Sequence, residues 1–359
     1  MAKGDKVLNI QAGRGLAALL VVFCHAGRMV SLEQYVGYDP LAGLFTFGHA
    51  GVDFFFVLSG FIIYFVHHRD IGRPANLWHY AWRRITRIYP IYWVVTVAII
   101  LLALFSPNGA GDRLDPRHVL ASFLLVPHGQ DPLLGVGWTL QHEMLFYTVF
   151  AVAILSARAG IAIFVLWMAL TLYGMAFPLQ GYAIRFIADP FHIEFLFGVF
   201  AAWITIAFRV SAPRLMAVIG AAAFLVTAAA EDMGYITMSG LAGRWSYGLS
   251  AMILLIGLAE AERSGKWQAK GSAVYLGSAS YSLYLVHTIV IGLFARTLAV
   301  VGIVKDLPGW SVTALAVIVS LIAAALLHGV AEKPIASALN GGARRRRKRT
   351  DETALPQSA

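Results

Sequence analysis

Apolar positions in this chain come in long unbroken runs, not in the alternating pattern of strands or the one-sided stripe of a surface helix. Runs of about 17 to 25 residues, the length a helix needs to cross a hydrocarbon core, centre near residues 18, 54, 97, 147, 168, 197, 222, 252, 287 and 319. A helix that is apolar all round is buried or spans a membrane. The pattern therefore predicts an all-α polytopic integral membrane protein of about ten transmembrane helices. The longest connector runs from Ser106 to about Val136, and "SPNGAGDRLDPRH" within it is expected to break any helix through its Pro and Gly. No fixed-period repeat and no insertion long enough to fold as a soluble domain is visible. Residues 1–335 read as one transmembrane domain and 336–359 as a basic, disordered cytoplasmic tail. Lys3, Lys6 and Arg14 ahead of the first run imitate a secretory signal, but no small-residue cleavage site precedes Arg28 and further spans follow, so the first run reads as a retained span.

Composition agrees. Hydrophobic residues make up 59% and charged residues 13% of the chain, against about 25% charged in a soluble domain. The single cysteine, Cys24, excludes an internal disulfide. The net charge of +9 is mostly a topology signal. About 20 of the 28 Lys and Arg fall in alternate connectors, at 1–8, 67–87, 156–160, 208–215, 260–273 and 331–359, the bias expected of cytoplasmic loops. Both termini are accordingly expected in the cytoplasm. The run "RRRRKR" reads as an arm against anionic membrane lipids and not as a nucleic-acid site.

Ionisable groups at the centre of a span cost about 2.5–3.5 kcal/mol each, which singles out Arg14, His25, Asp53, Glu143, Glu194 and His287. Arg14 and His25 are eleven residues apart, within about 20° of one helix face and roughly 16 Å apart along the axis. They share a stripe without touching, as suits a long ligand that is anionic at the inner end and reactive at the outer end. Asp53 is expected near mid-membrane, and Glu143 within two turns of the outer end, level with His25, where a carboxylate would orient the ring for general base catalysis. His49, four residues before Asp53, offers an alternative His/Asp pair, whereas His142 points about 100° away from Glu143. Arg84 and Arg87 share a face and are suited to gripping phosphates. The histidines show no metal-ligand spacing, so no bound metal is expected.

Together these segments resemble the membrane-bound acyltransferase 3 family, which O-acylates bacterial cell-surface glycans. The resemblance rests on "GRGLAALLVVFCHAG" with its Arg14-to-His25 spacing, "GVDFFFVLSGFII", "RRITRIYPIYW", "GWTLQHEMLFY" and "SYSLYLVH", in order over residues 11–335. "GWTLQHEMLFY" is most similar to the exopolysaccharide-modifying branch, such as succinoglycan O-acetyltransferases. The resemblance implies a bacterial inner-membrane enzyme with acyl-CoA, most simply acetyl-CoA, as cytoplasmic co-substrate and no tightly bound cofactor. The acceptor it implies is a hydroxyl of a glycan or lipid-linked saccharide, with polysaccharide-synthesis machinery as a partner class. It marks Arg14 and His25 as essential and Asp53, Arg84, Arg87 and Glu143 as motif residues. No fused SGNH-type domain follows the membrane part in this sequence, so transfer is expected to be completed alone or with a separate partner.

On this reading Arg14, Arg84 and Arg87 hold the phosphates or pantetheine arm, and His25, oriented by Glu143, acts as general base or as a transient acyl acceptor. Trp138 and Tyr182 offer rings to stack on a sugar or to anchor at the interface. The competing class is a transporter or flippase for a lipid-linked saccharide or small anion. It predicts internal two-fold repeats and paired broken helices, which are not evident in the sequence.

Overall fold

A computed structural model of the chain describes residues 7–105, 114–237 and 241–339. All regular structure among them is helical, and ten helical segments are long and apolar enough to cross a membrane. In chain order the helices are α1 (Leu8–Val30), α2 (Gly51–His67), α3 (Leu77–Leu104), α4 (Pro116–Leu124), α5 (Trp138–Leu155) and α6 (Ala157–Ala176). They continue with α7 (Tyr182–Ile187), α8 (His192–Ala207), α9 (Pro213–Asp232), α10 (Leu241–Arg263), α11 (Ser272–Val301) and α12 (Gly309–Leu327). A π-helical turn, His328–Glu332, follows α12, and helix resumes to Leu339. The domain boundary expected at 335 thus falls inside a helix. Residues 340–359, including "RRRRKR", and residues 1–6 lie outside the described residues.

The face at which α1 begins also carries the connectors with Arg69, Arg73, Lys266 and Lys270, and is called the basic face below. There the Glu262 carboxylate accepts from the backbone N–H groups of Leu8 and Asn9 at 2.9 and 2.7 Å. A carboxylate at a helix start satisfies orphan donors and suits the helix dipole, so the end of α10 fixes the start of α1.

At the opposite face, residues 114–137 are not a loose connector. Pro116, expected to break a helix, instead begins α4, because Pro at the first helical position has no N–H to leave unpaired. Asp115 caps that helix through the N–H groups of Arg117 and His118. Leu125 and Leu134 are buried, and the Ser122 carbonyl accepts from the Tyr92 hydroxyl at 2.7 Å. The segment therefore packs into the bundle against α3.

Small residues decide which helices approach closely. In α1 and α11, which cross in the same direction as first and ninth spans, Gly15 lies against Gly277, and a Cβ on Gly277 would collide with the Gln11 carbonyl. Backbone contact of this kind, not apolarity, is what associates helices in lipid.

Candidate active site

The α1–α11 crossing sets the register of a histidine pair. His25 is ten residues beyond Gly15 and His287 ten beyond Gly277, so on two helices that run the same way from the glycine contact the two imidazoles stand at the same depth. The ring centroids are 5.0 Å apart and the planes are at 70°. His25 Nδ1 is 2.9 Å from the Val21 carbonyl oxygen, and His287 Nδ1 is 2.8 Å from that of Tyr284. A carbonyl only accepts, so in each ring Nδ1 carries the hydrogen and Nε2 the lone pair. His287 is fully buried and its Nε2 has no partner.

Two other histidine pairs behave differently. His142 Nδ1 lies 2.8 Å from His192 Nε2, whose Nδ1 donates to Ile187, and His118 Nδ1 lies 2.8 Å from His128 Nε2. In each, one ring donates to the other. In the His25–His287 pair both Nδ1–H groups are held by backbone carbonyls, and neither ring donates to the other.

Towards the basic face the structure gathers the three predicted arginines. Arg14 donates to Gln11 Oε1 at 3.2 Å and lies within electrostatic reach of Arg87, Glu332, Glu143 and Tyr147. Arg84 sits over the Tyr147 ring at 5.7 Å with its Nε buried and unpaired. Arg87 lies over Tyr281 at 5.2 Å and is bound at 3.0 Å to Glu332, which also accepts from Ser282 and His328 at 2.7 Å each. Glu332 was not legible as a site residue: it falls in the run assigned to a basic connector, and only the π-turn, a feature frequent at functional sites, carries it in. Ser282 is five residues before His287, so the cluster starts roughly 7.5 Å from the histidine pair.

Glu143 does not orient His25. The Val136 carbonyl accepts from the Tyr284 hydroxyl at 3.3 Å, so α5 begins level with Tyr284, just below the histidine pair, because residues 114–137 fold into the bundle before it. Seven residues on, Glu143 is roughly 10 Å deeper, where it accepts from Ser59 at 2.7 Å and from Tyr147. It supplies counter-charge to the arginine cluster instead.

Asp53 does lie between Arg14 and His25 in depth, since Gly51 packs on Ala17 and Val21. Its carboxylate, however, is bound to neither Arg14, Arg84 nor His49. It pairs with Arg244, whose guanidinium lies 3.7 Å from the centroid of Phe191 and 4.0 Å from Glu194. His49 pairs with Glu231 at 3.0 Å, and the Tyr247 hydroxyl donates to the same carboxylate at 2.6 Å. Arg244 and Glu231 were missed because they stand near span ends, where charge is ordinary. Asp53 therefore holds α2 to α10, and no contact draws it into the histidine site.

Trp138, the first residue of α5, is half-buried among Phe56, His142 and Phe191, with centroids at 6.2, 5.6 and 5.1 Å. Tyr182 is exposed and stacks on Phe186, which stacks on His142 at 4.4 Å. The two rings thus belong to one aromatic cluster next to Arg244.

A family model described as an acyltransferase domain matches residues 7–329. The chain is 34% identical over 274 residues to the exopolysaccharide production protein ExoZ of Rhizobium meliloti, covering 72% of this chain and 81% of that protein. It is 30% identical over an alignment of 363 residues to the acyltransferase MdmB of Streptomyces mycarofaciens, covering 89% of each. No solved structure matches the chain.

Proposed function

The chain belongs to the acyltransferase 3 family, and from that premise we propose that it transfers an acyl group, acetyl in the simplest case, from acyl-CoA to a sugar hydroxyl of a cell-surface or exopolysaccharide glycan in the bacterial inner membrane. The carrying observation is the line of polar groups that runs inside apolar helices from the arginine cluster to the bare Nε2 atoms of His25 and His287. An acyl-CoA has that shape: phosphates at one end, a thin pantetheine arm, and a thioester at the other. The Rhizobium meliloti relative is an exopolysaccharide production protein, which supports a sugar acceptor.

In this reading the basic face is cytoplasmic, and Arg14, Arg84 and Arg87 take the phosphates and the arm. Guanidinium groups suit phosphate through their fork of donors, and Glu143 and Glu332 keep the cluster from being a bare excess of charge within the membrane. His25 meets the thioester, its Nδ1–H held by Val21 so that Nε2 presents a lone pair to the acceptor hydroxyl or to the acyl carbon. Tyr182, exposed beside the aromatic cluster, offers a ring to the acceptor sugar.

The test is turnover of radiolabelled acetyl-CoA by purified protein in detergent, wild type against His25→Ala. Loss of turnover in a folded variant that still binds CoA supports the reading. Unchanged turnover in the variant removes His25 from the chemistry, and no CoA use by the wild type overturns the donor assignment.

A further inference from the structure

One base suffices for a one-step transfer, yet two imidazoles share this site. A purely structural residue at 287 would fill the same volume without a polar atom to strand, whereas Nε2 of His287 is buried with no partner, an arrangement that costs stability. Its Nδ1–H is occupied by the Tyr284 carbonyl and, at 3.2 Å, by that of Leu283, so Nε2 is confined to accepting. The rings in contact with it are His25, with centroids 5.0 Å apart, and Tyr284, at 5.8 Å.

We propose that transfer runs through an acyl group on His25 and that His287 is the catalytic base of the second half. This rests on the reading of the chain as an acyl-CoA-dependent enzyme with His25 at the thioester. In the first half, the Nε2 lone pair of His25 forms a bond to the thioester carbon, the C–S bond breaks, and CoA leaves as thiolate. The ring is then an acyl-imidazolium whose Nδ1–H remains on Val21, and it has no lone pair left to take a proton. In the second half the acceptor oxygen bonds to the acyl carbon, its proton passes to Nε2 of His287, and the C–N bond breaks to return its electron pair to His25. The proton then passes to the thiolate, so the sum is thioester plus alcohol giving ester plus CoA thiol. Burial of His287 Nε2 serves this step, because an exposed base beside an acyl-imidazolium would activate water and lose the acyl group to hydrolysis.

The experiment uses full-length purified protein, radiolabelled acetyl-CoA and octyl glucoside as probe acceptor, and follows CoA thiol release and label on the protein. Wild type is expected to release CoA and to shed its label to the glucoside or to water. His287→Gln is expected to release one equivalent of CoA, to keep the label on the peptide containing His25, and to shed it at least about 100-fold more slowly, the scale of a lost general base. His287→Ala guards against misfolding: free imidazole is expected to restore shedding, which a structural role would not allow. Shedding by His287→Gln at the wild-type rate overturns the proposal. So does loss of the initial CoA release in that variant, or acetylated glucoside formed by wild type with no label ever on protein. Each of these leaves the acyl-CoA reading standing, whereas absence of CoA release by wild type fails that reading itself.

Discussion

The seam between α1 and α11 and the wedge of α2, α8 and α10 both bury ionisable side chains within apolar helices, but they satisfy them differently. In the wedge, Asp53 and Arg244 form a direct ion pair and the cation is further covered by Phe191, while Glu194 stands 4.0 Å from Arg244 with both oxygens buried and without a hydrogen-bond partner. In the seam, His25 and His287 each spend their one donor on their own helix and leave a lone pair bare. A buried charge held by its own partner binds helices together, while a buried lone pair without a donor is a place for a substrate or a proton. The ionisable groups prominent in the sequence thus divide into two jobs that their spacing does not distinguish.

The sharpest way to break the contrast is His25→Ala. It is expected to lower acyl transfer about 1,000-fold while leaving the melting temperature in detergent nearly unchanged; a large fall in melting temperature would put His25 with the wedge. Arg244→Met leaves Asp53 buried without its cation and is expected to cost about 3–5 kcal/mol of stability. The double variant Asp53→Leu with Arg244→Met should recover most of that in thermal melting, as replacing a buried pair by apolar residues often does; failure to recover would point to a chemical role for Asp53. Gly277→Val pushes α11 off α1, and since about 1 Å of misplacement can cost about 100-fold, transfer is expected to fall up to that far with CoA binding retained.

Arg87→Ala is expected to raise KM for acyl-CoA about tenfold, one modest interaction of about 1.4 kcal/mol, with kcat little changed. Last, the His118–His128 pair at the opposite face makes a control. Burial and the neighbouring His128 lower the His118 pKa from its ordinary value. The folded segment therefore favours neutral His118, and its stabilisation is lost as pH falls through about 6.5, where the unfolded imidazole takes up a proton. The protection of amides 114–134 against hydrogen exchange, taken relative to the intrinsic exchange rate at each pH, should fall on acidification while that of the seam, held by glycine contacts, does not change.

Much of the architecture was legible. Run length alone predicts the ten spans, because the hydrocarbon thickness dictates how many apolar residues a helix must supply. Helical periodicity places Arg14 and His25 on one stripe, and their spacing along α1 follows from rise per residue. The three arginines were recognisable from composition and position, and they do converge. The depth of Glu143 was not legible, since it depends on residues 114–137 folding back into the bundle, and a segment rich in Pro and Gly gives no sign of where it packs.

The neighbours of each ionisable residue were decided only in three dimensions. In a soluble helix the apolar stripe shows which face is inside, but here every face is apolar, and attraction to lipid does not distinguish one helix partner from another. Which side chains meet is left to backbone approach at a few glycines, such as Gly15 against Gly277. That contact spans 262 residues of chain, as does the meeting of His25 with His287. The sequence by itself determined which chemical groups enter the membrane and how far apart they stand along each helix; the folding of residues 114–137 and the packing of small residues decided which of them share a depth and a site.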